Sequence, residues 1–429
     1  MSGSRRSFLR HLSGIAGSMS LMALVDPVLA AEAKDRIEQI ESLSPEEAAR
    51  DEDFWGWVRQ SFTSSPTNVN FNNGGVSPQP KVVQDAQIYY NRLSNEAPAY
   101  FMWRVLDKGR EALRKRLAKV AGCSPEEVAI NRNTTEALDT IIFGLQLKKG
   151  DEIVLTRYDY PNMLNAWKQR AKRDGVVLKF VDIDLPSEDK SYMVGQFTKL
   201  FTARTKVVHI THMMNWNGQV LPVKEIAAVA RPKGIDIMVD GAHSFAHLDF
   251  SIDDLGCDYF GTSLHKWLCA PFGTGMLYVR KEKIKSLWPT FPNHEPDSDR
   301  IQKFEGLGTR SFAAEFAVAQ AIDFHELIGI KRKNARLYFL KNYWVSQVKD
   351  LPGVTLKTPN SPEFSGALAT FEVEGLSPIS LNDKLLREHH IIGSPVRVEA
   401  INGVRITPHI YSSIDELDRL VAAIKELVA

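Results

Sequence analysis

Three strand-like runs between Ile235 and Arg280 constrain this chain most, because two of them end on residues with chemistry. Ile235, Ile237, Met238 and Val239 lead to Asp240, and Gly241-Ala242-His243 follows. A short apolar run that stops on an acid is how a buried parallel strand delivers a carboxylate to the rim of a sheet. The run at Asp258-Tyr259-Phe260-Gly261 leads to Ser263-Leu264-His265-Lys266, and Gly275 to Arg280 closes the segment. An acid and a lysine thus both sit where strands end, the place where ligands bind in open α/β sheets.

A lysine amine can form a Schiff base with an aldehyde cofactor, and an acid can pair with the protonated ring nitrogen of pyridoxal phosphate. The charged ring takes up the electrons released when a bond at a substrate α-carbon breaks. Ser263 and His265 flank the lysine and suit a phosphate. An isolated pair of this kind equally suits a surface lysine after a strand and an aspartate opening a turn. The strings around it, VDGAHS and TSLHKW, resemble the fold-type I pyridoxal-phosphate enzymes. More narrowly they resemble the class V aminotransferase family, which includes cysteine desulfurases and isopenicillin N epimerase-like proteins. The likeness runs from about Phe71 to the C-terminus.

That resemblance implies an α/β fold with a large cofactor-binding domain over 71–318, built on a mainly parallel seven-stranded sheet between helices. A smaller α+β domain over 319–429 and a helical N-terminal arm over 32–70 complete it. It implies pyridoxal 5′-phosphate as cofactor, Lys266 as its covalent attachment point and Asp240 at the ring nitrogen. The strand–helix–strand alternation predicts the parallel sheet independently. A length of 429 residues suits a two-domain enzyme subunit.

Charge and cysteine content exclude other classes. Lys and Arg number 53 against 52 Asp and Glu, which leaves no excess to attract nucleic acid or an anionic membrane. Cys123, Cys257 and Cys269 lack metal-ligand spacing, so no metal site and no disulfide framework is expected. Ser4-Arg5-Arg6-Ser7-Phe8-Leu9 precedes an apolar, small-residue stretch from Leu12 to Val25, and Pro27 to Ala31 reads as a cleavage region. This is a twin-arginine export signal over 1–31, which makes the export machinery a partner and the location periplasmic or otherwise exported. Gly14, Gly17 and serines break the apolar run, against a permanent membrane span.

The remaining motifs fall in family order. Phe71-Asn72-Asn73-Gly74-Gly75 is a turn-rich loop; by resemblance it lies over the substrate, which makes Asn73 and Gly74 site candidates. Asn133-Thr134-Thr135-Glu136 has the pattern of a capping box opening a helix. A helix start has outward N–H groups and a dipole that favours an anion, though most such starts bind no ligand. The resemblance assigns Thr134 and Thr135 to the cofactor phosphate, Tyr160 to stacking on the pyridine ring, and Asn215 and His243 to the ring oxygen. Trp216, after Asn215, walls the pocket on this reading. Gly308 and Thr309 match the pair that reaches the neighbouring subunit's phosphate, implying a homodimer with shared active sites. Arg405 matches the residue that clamps a substrate α-carboxylate, a task its planar fork suits.

A cysteine desulfurase needs a nucleophilic cysteine shortly before the closing arginine, and none occurs from Leu386 to Arg405. The chemistry that remains begins with freed Lys266 removing the substrate α-proton. Its outcome is transamination, epimerisation or, as a lyase, loss of a β-group. The string is most similar to isopenicillin N epimerase-like members, including exported ones that tailor a peptide siderophore such as pyoverdine. The expected substrate is an amino acid or the amino-acid end of a peptide. From another class, the chain reads as a catalytically inactive binding protein on the same fold; intact Lys266, Asp240 and Arg405 oppose that.

Overall fold

The computed structural model describes residues 35–429. The twin-arginine segment lies outside the described residues. The strands are β1 (Val69–Asn70), β2 (Val128–Asn131), β3 (Glu152–Thr156), β4 (Val177–Val181), β5 (Thr205–Thr211), β6 (Asp236–Asp240), β7 (Tyr259–Ser263) and β8 (Gly275–Val279), followed by β9 (Val354–Leu356), β10 (Ala369–Val373), β11 (Ile391–Ile392), β12 (Ser394–Val398) and β13 (Ile401–Ile406).

Strands β2 to β8 form one sheet in the order β2-β8-β7-β6-β5-β3-β4, with β8 antiparallel to both neighbours and the other pairs parallel. Alternate residues feed two separate cores. On β6, Ile237 and Val239 pack into one apolar cluster and Met238 into the other. Both faces are covered, which is why these strands read as continuous apolar runs rather than as alternating ones. Helices Thr134–Gly144 and Pro161–Asp174 cover the Met238 face, through Leu138, Ile141 and Trp167. Helices Arg110–Ala121, Val223–Ala230 and Val318–Ile328 cover the other, through Leu117, Ile226 and Ile322.

The second sheet, in the order β12-β13-β10-β9, is antiparallel. Its core, with Trp344, Phe371 and Leu420, lies beneath helices Ile330–Val348 and Ile414–Val428. The segment leading to this sheet forms two helices, Phe312–Phe316 and Val318–Ile328. Trp55 and Trp57 of helix Glu52–Gln60 are buried, as packing anchors of the arm. The chain then crosses to the second sheet's side, where β1 pairs in parallel with β11. Among the described residues no helix is long and apolar enough to cross a membrane.

The free edge of the large sheet is closed by charge. The N–H of Ile130, on edge strand β2, donates to Glu305 Oε1 at 2.7 Å, and Arg114 binds both oxygens of that carboxylate at 2.6 and 2.9 Å. Arg110 adds a third cationic contact at 3.0 Å and also pairs with Glu315. The network fixes the loop that carries Gly308 and Thr309. Removing its central anion leaves, among the described residues, buried Arg110 with the carboxylate of Glu315 alone and buried Arg114 with only that of the exposed Glu111. Glu305→Ala is expected to lower stability by about 3 kcal/mol, read as a fall in the urea midpoint at unchanged slope.

Candidate active site

Because β5, β6 and β7 run parallel, their C-terminal ends open at one rim, and the candidate residues gather there. Asp240 ends β6, Ser263 ends β7, and Lys266 follows three residues later. Lys266 Nζ lies 3.0 Å from His243 Nε2. Desolvation lowers the lysine to about 8, with Asp240 opposing and the Arg405 charge adding to the depression. His243 is held well below its ordinary range by burial and by the same two cations, so it faces Lys266 as a neutral imidazole. Burial pushes Asp240 upward, and the Ala242 N–H at Oδ1, 2.9 Å away, works against that.

The residues expected to hold a phosphate come together. Asn133 caps helix Thr134–Gly144 by accepting the Glu136 N–H at 2.9 Å. The second half of the expected capping box is displaced by one residue: Glu136 accepts from the Arg132 N–H at 2.8 Å. Ser263 Oγ accepts the Thr134 N–H at 2.9 Å and meets the Thr134 hydroxyl at 2.8 Å. This meeting depends on Gly275, where a Cβ would lie 2.5 Å from the Asn133 nitrogen. Thr135 is half-buried beside them. The Nδ1–H of His265 donates to the Thr274 carbonyl at 3.1 Å, which leaves Nε2 for a ligand.

Arg405 supplies the opposite wall. It is 6% exposed on β13, and its Nη1 donates to the Asn215 carbonyl at 2.7 Å and its Nη2 to Asn72 Oδ1 at 2.8 Å. Among the described residues no carboxylate pairs with it, and desolvation lowers it to about 10. Gly74 packs on it: a Cβ there would lie 3.3 Å from Arg405 Cζ. Asn73 is a correction. Its amide donates to the carbonyls of Asn70 and Thr407, and its Oδ1 accepts from Tyr411 and Asn70. Asn73 therefore pins the strap, and Asn72 is the asparagine that reaches the arginine. Trp216 bridges to the Tyr158 carbonyl at 2.7 Å and walls the same side. Tyr158 is buried, whereas Tyr160, at the start of helix Pro161–Asp174, is 41% exposed. Gly308 and Thr309 are exposed, and among the described residues no hydrogen bond joins them to the Thr134–Ser263 cradle.

The seat of the lysine was not evident from the sequence. Trp267 is fully buried, with His247 on one side at a centroid distance of 3.9 Å and His409 stacked at 5.4 Å. The buried Lys333 ammonium donates to the Trp267 carbonyl. His247 Nδ1–H donates to the His243 carbonyl at 2.9 Å while Nε2 accepts the Ala367 N–H at 3.0 Å, so its tautomer is fixed. Cys269 lies nearby, but burial pushes its thiol up to about 11, away from a reactive thiolate.

Pyridoxal phosphate fits this arrangement. A buried acid at a strand end can face a cationic ring nitrogen, and Asn215 Oδ1, His243 Nδ1 and Arg405 Nε are buried with no hydrogen-bond partner among the described residues. The cradle offers hydroxyls at a helix N-terminus, and the lysine is shifted toward the neutral amine that an aldehyde requires.

Comparison with known proteins agrees. The model of the family described as aminotransferase class V matches residues 69–420. Isopenicillin N epimerase of Streptomyces clavuligerus is 29% identical, over 87% of this chain and 98% of its own. A probable cysteine desulfurase of Synechocystis sp. is 27% identical, over 86% of this chain and 94% of its own. The solved structure of C-DES with glycine covalently linked to its pyridoxal-phosphate cofactor shares the fold, with a TM-score of 0.77 at 23% identity over 85% of this chain and 98% of that one. The chain belongs to the class V aminotransferase family of pyridoxal-phosphate enzymes.

Proposed function

We propose that this protein is an exported enzyme that acts at the α-carbon of an amino acid, or of the amino-acid end of a peptide, by transamination or epimerisation. The observation that carries the reading is Arg405, a buried guanidinium with neutral hydrogen-bond partners and, among the described residues, no counter-ion, near enough to Lys266 for its charge to act on it. A substrate carboxylate would complete it with two parallel charge-assisted hydrogen bonds. When bound, the cofactor supplies an electron sink for the bond broken at the α-carbon. The chain supplies the rest. Asn72 and the Asn215 carbonyl aim Arg405, Arg405 orients the substrate, and Lys266 moves the α-proton with His243 as its neutral neighbour.

A lyase is the second reading, and desulfuration is its least supported form. Where a cysteine-bearing loop would be needed, β12 and β13 form a hairpin turned at Glu399 and Ala400, and no cysteine lies between Leu386 and Arg405. The binding-protein alternative is opposed by a lysine tuned toward its neutral form. Exposed Gly308 and Thr309 support a homodimer in which each copy completes its neighbour's phosphate site. Arg5 and Arg6 support export by the twin-arginine route.

Three outcomes test this reading. Arg405→Lys keeps the charge but not the fork, and should raise KM for carboxylate-bearing substrates about a hundred-fold while leaving cofactor binding unchanged. In the cofactor-free protein, capture of pyridoxal phosphate by Lys266, trapped with borohydride, should increase as pH rises through about 8, because only the neutral amine attacks. A midpoint near 10 would remove the base role. Incubation with substrates in deuterium oxide separates the reactions: a keto product marks transamination, and α-deuterium in both enantiomers marks epimerisation.

A further inference from the structure

On the face of the sheet that carries Asp240, one side-chain pair is left unexplained by the site described above. His209 on β5 and Trp167 on helix Pro161–Asp174 are both fully buried, and the Trp167 indole N–H donates to His209 Nδ1 at 2.9 Å. An indole nitrogen only donates, so Nδ1 is unprotonated and the neutral ring carries its proton on Nε2. That Nε2 is buried and has no hydrogen-bond partner among the described residues. A buried donor without an acceptor is costly, which makes its surroundings informative.

Residues two apart on a strand share a face. His209 is two residues from Thr211, and Thr211 is registered directly against Asp240. Val207 on β5 and Met238 on β6 lie in the same buried cluster as Trp167, which identifies the face. His209 therefore sits diagonally across from Asp240, within the reach of cross-strand neighbours. His209 is registered against Met238, so Asp236 is its other diagonal neighbour, but both Asp236 oxygens are engaged, by the Tyr259 hydroxyl at 3.2 Å and the Lys283 ammonium at 2.5 Å. Those of nearby Asp159 are engaged by the Thr156 N–H and the Thr211 hydroxyl, each at 2.7 Å. Asp240 accepts a single hydrogen bond among the described residues, from the Ala242 N–H, and so has spare acceptor capacity.

We propose that His209 is a positioning residue for the cofactor: locked by Trp167, it directs its Nε2 proton toward Asp240 and holds that carboxylate ionised and aligned for the ring nitrogen. The inference rests on Asp240 as the ring-nitrogen acid. It extends the site by a Trp167–His209–Asp240 chain that reaches through the sheet's core to the rim.

The experiment titrates cofactor-free protein with pyridoxal phosphate and records affinity and the pH dependence of the visible spectrum. It compares the wild type with His209→Leu, His209→Gln, Trp167→Phe and Asp240→Asn, with the melting temperature of each cofactor-free variant as the fold control. His209→Leu should weaken cofactor binding about ten-fold and shift the spectral midpoint. His209→Gln should restore both, because its amide can accept from Trp167 and donate toward Asp240. Trp167→Phe, which frees the tautomer, should fall between, and it carries the test alone if His209→Leu does not fold. Equal behaviour of the Leu and Gln variants, or a Trp167→Phe variant like wild type, would overturn the proposal. Unchanged binding and spectrum in Asp240→Asn would remove the acid itself from the ring nitrogen, and His209's role with it.

Discussion

The site is governed by an imbalance of buried charge. Two cations, Lys266 and Arg405, lie near the Asp240 carboxylate without a direct ion pair among the described residues, and burial pushes all three toward neutrality. Ions are not left in this condition without cost. The pocket is therefore arranged for ligands that bring anions with them, a phosphate at the Thr134–Ser263 end and a carboxylate at the Arg405 end. Lys266 lies between those two ends, and desolvation, with the Arg405 charge adding to it, depresses its pKa. Burial of charge thus underlies both the tuning of the lysine and the carboxylate-bearing substrate proposed above.

Rigidity behind the lysine makes that condition usable. A side chain that changes roles must return to one place, and the backbone of Lys266 is held on its C-terminal side by Trp267 between two imidazoles, with Lys333 on the Trp267 carbonyl. The strap over Arg405 is held just as firmly. Phe71 accepts from the Thr407 N–H at 2.7 Å, and Ser77 donates its N–H to the His265 carbonyl at 3.2 Å. One loop thereby ties the carboxylate wall to the lysine segment.

The fold was legible from the sequence because its strands are covered on both faces. Runs such as Ile153 to Leu155 and Ile237 to Val239 cannot be mistaken for surface strands. Asp240 and Ser263 were legible because each ends a strand, and Lys266 because it follows one by three residues. Asn72 and Asn73 were not separable, since adjacent asparagines in a loop carry no periodicity to say which one turns inward. Lys333 was hidden for another reason: within Ile330 to Arg336 it reads as one of four basic residues on an exposed helix start, and only tertiary packing buries it. The His209–Trp167 pair spans two elements 42 residues apart and has no local signature.

The arm at the start of the described chain has a consequence in time. Arg59 binds Glu416 through two hydrogen bonds, at 2.8 and 2.7 Å, across a separation of 357 residues, and Arg336 pairs with Glu52 and the Ala49 carbonyl. Both partners belong to helices made late in synthesis. The arm therefore cannot take its final place until the ribosome has nearly finished, and loop-closure entropy delays it further. An early segment is thus among the last to dock, and a docked arm reports that Glu416 has been made.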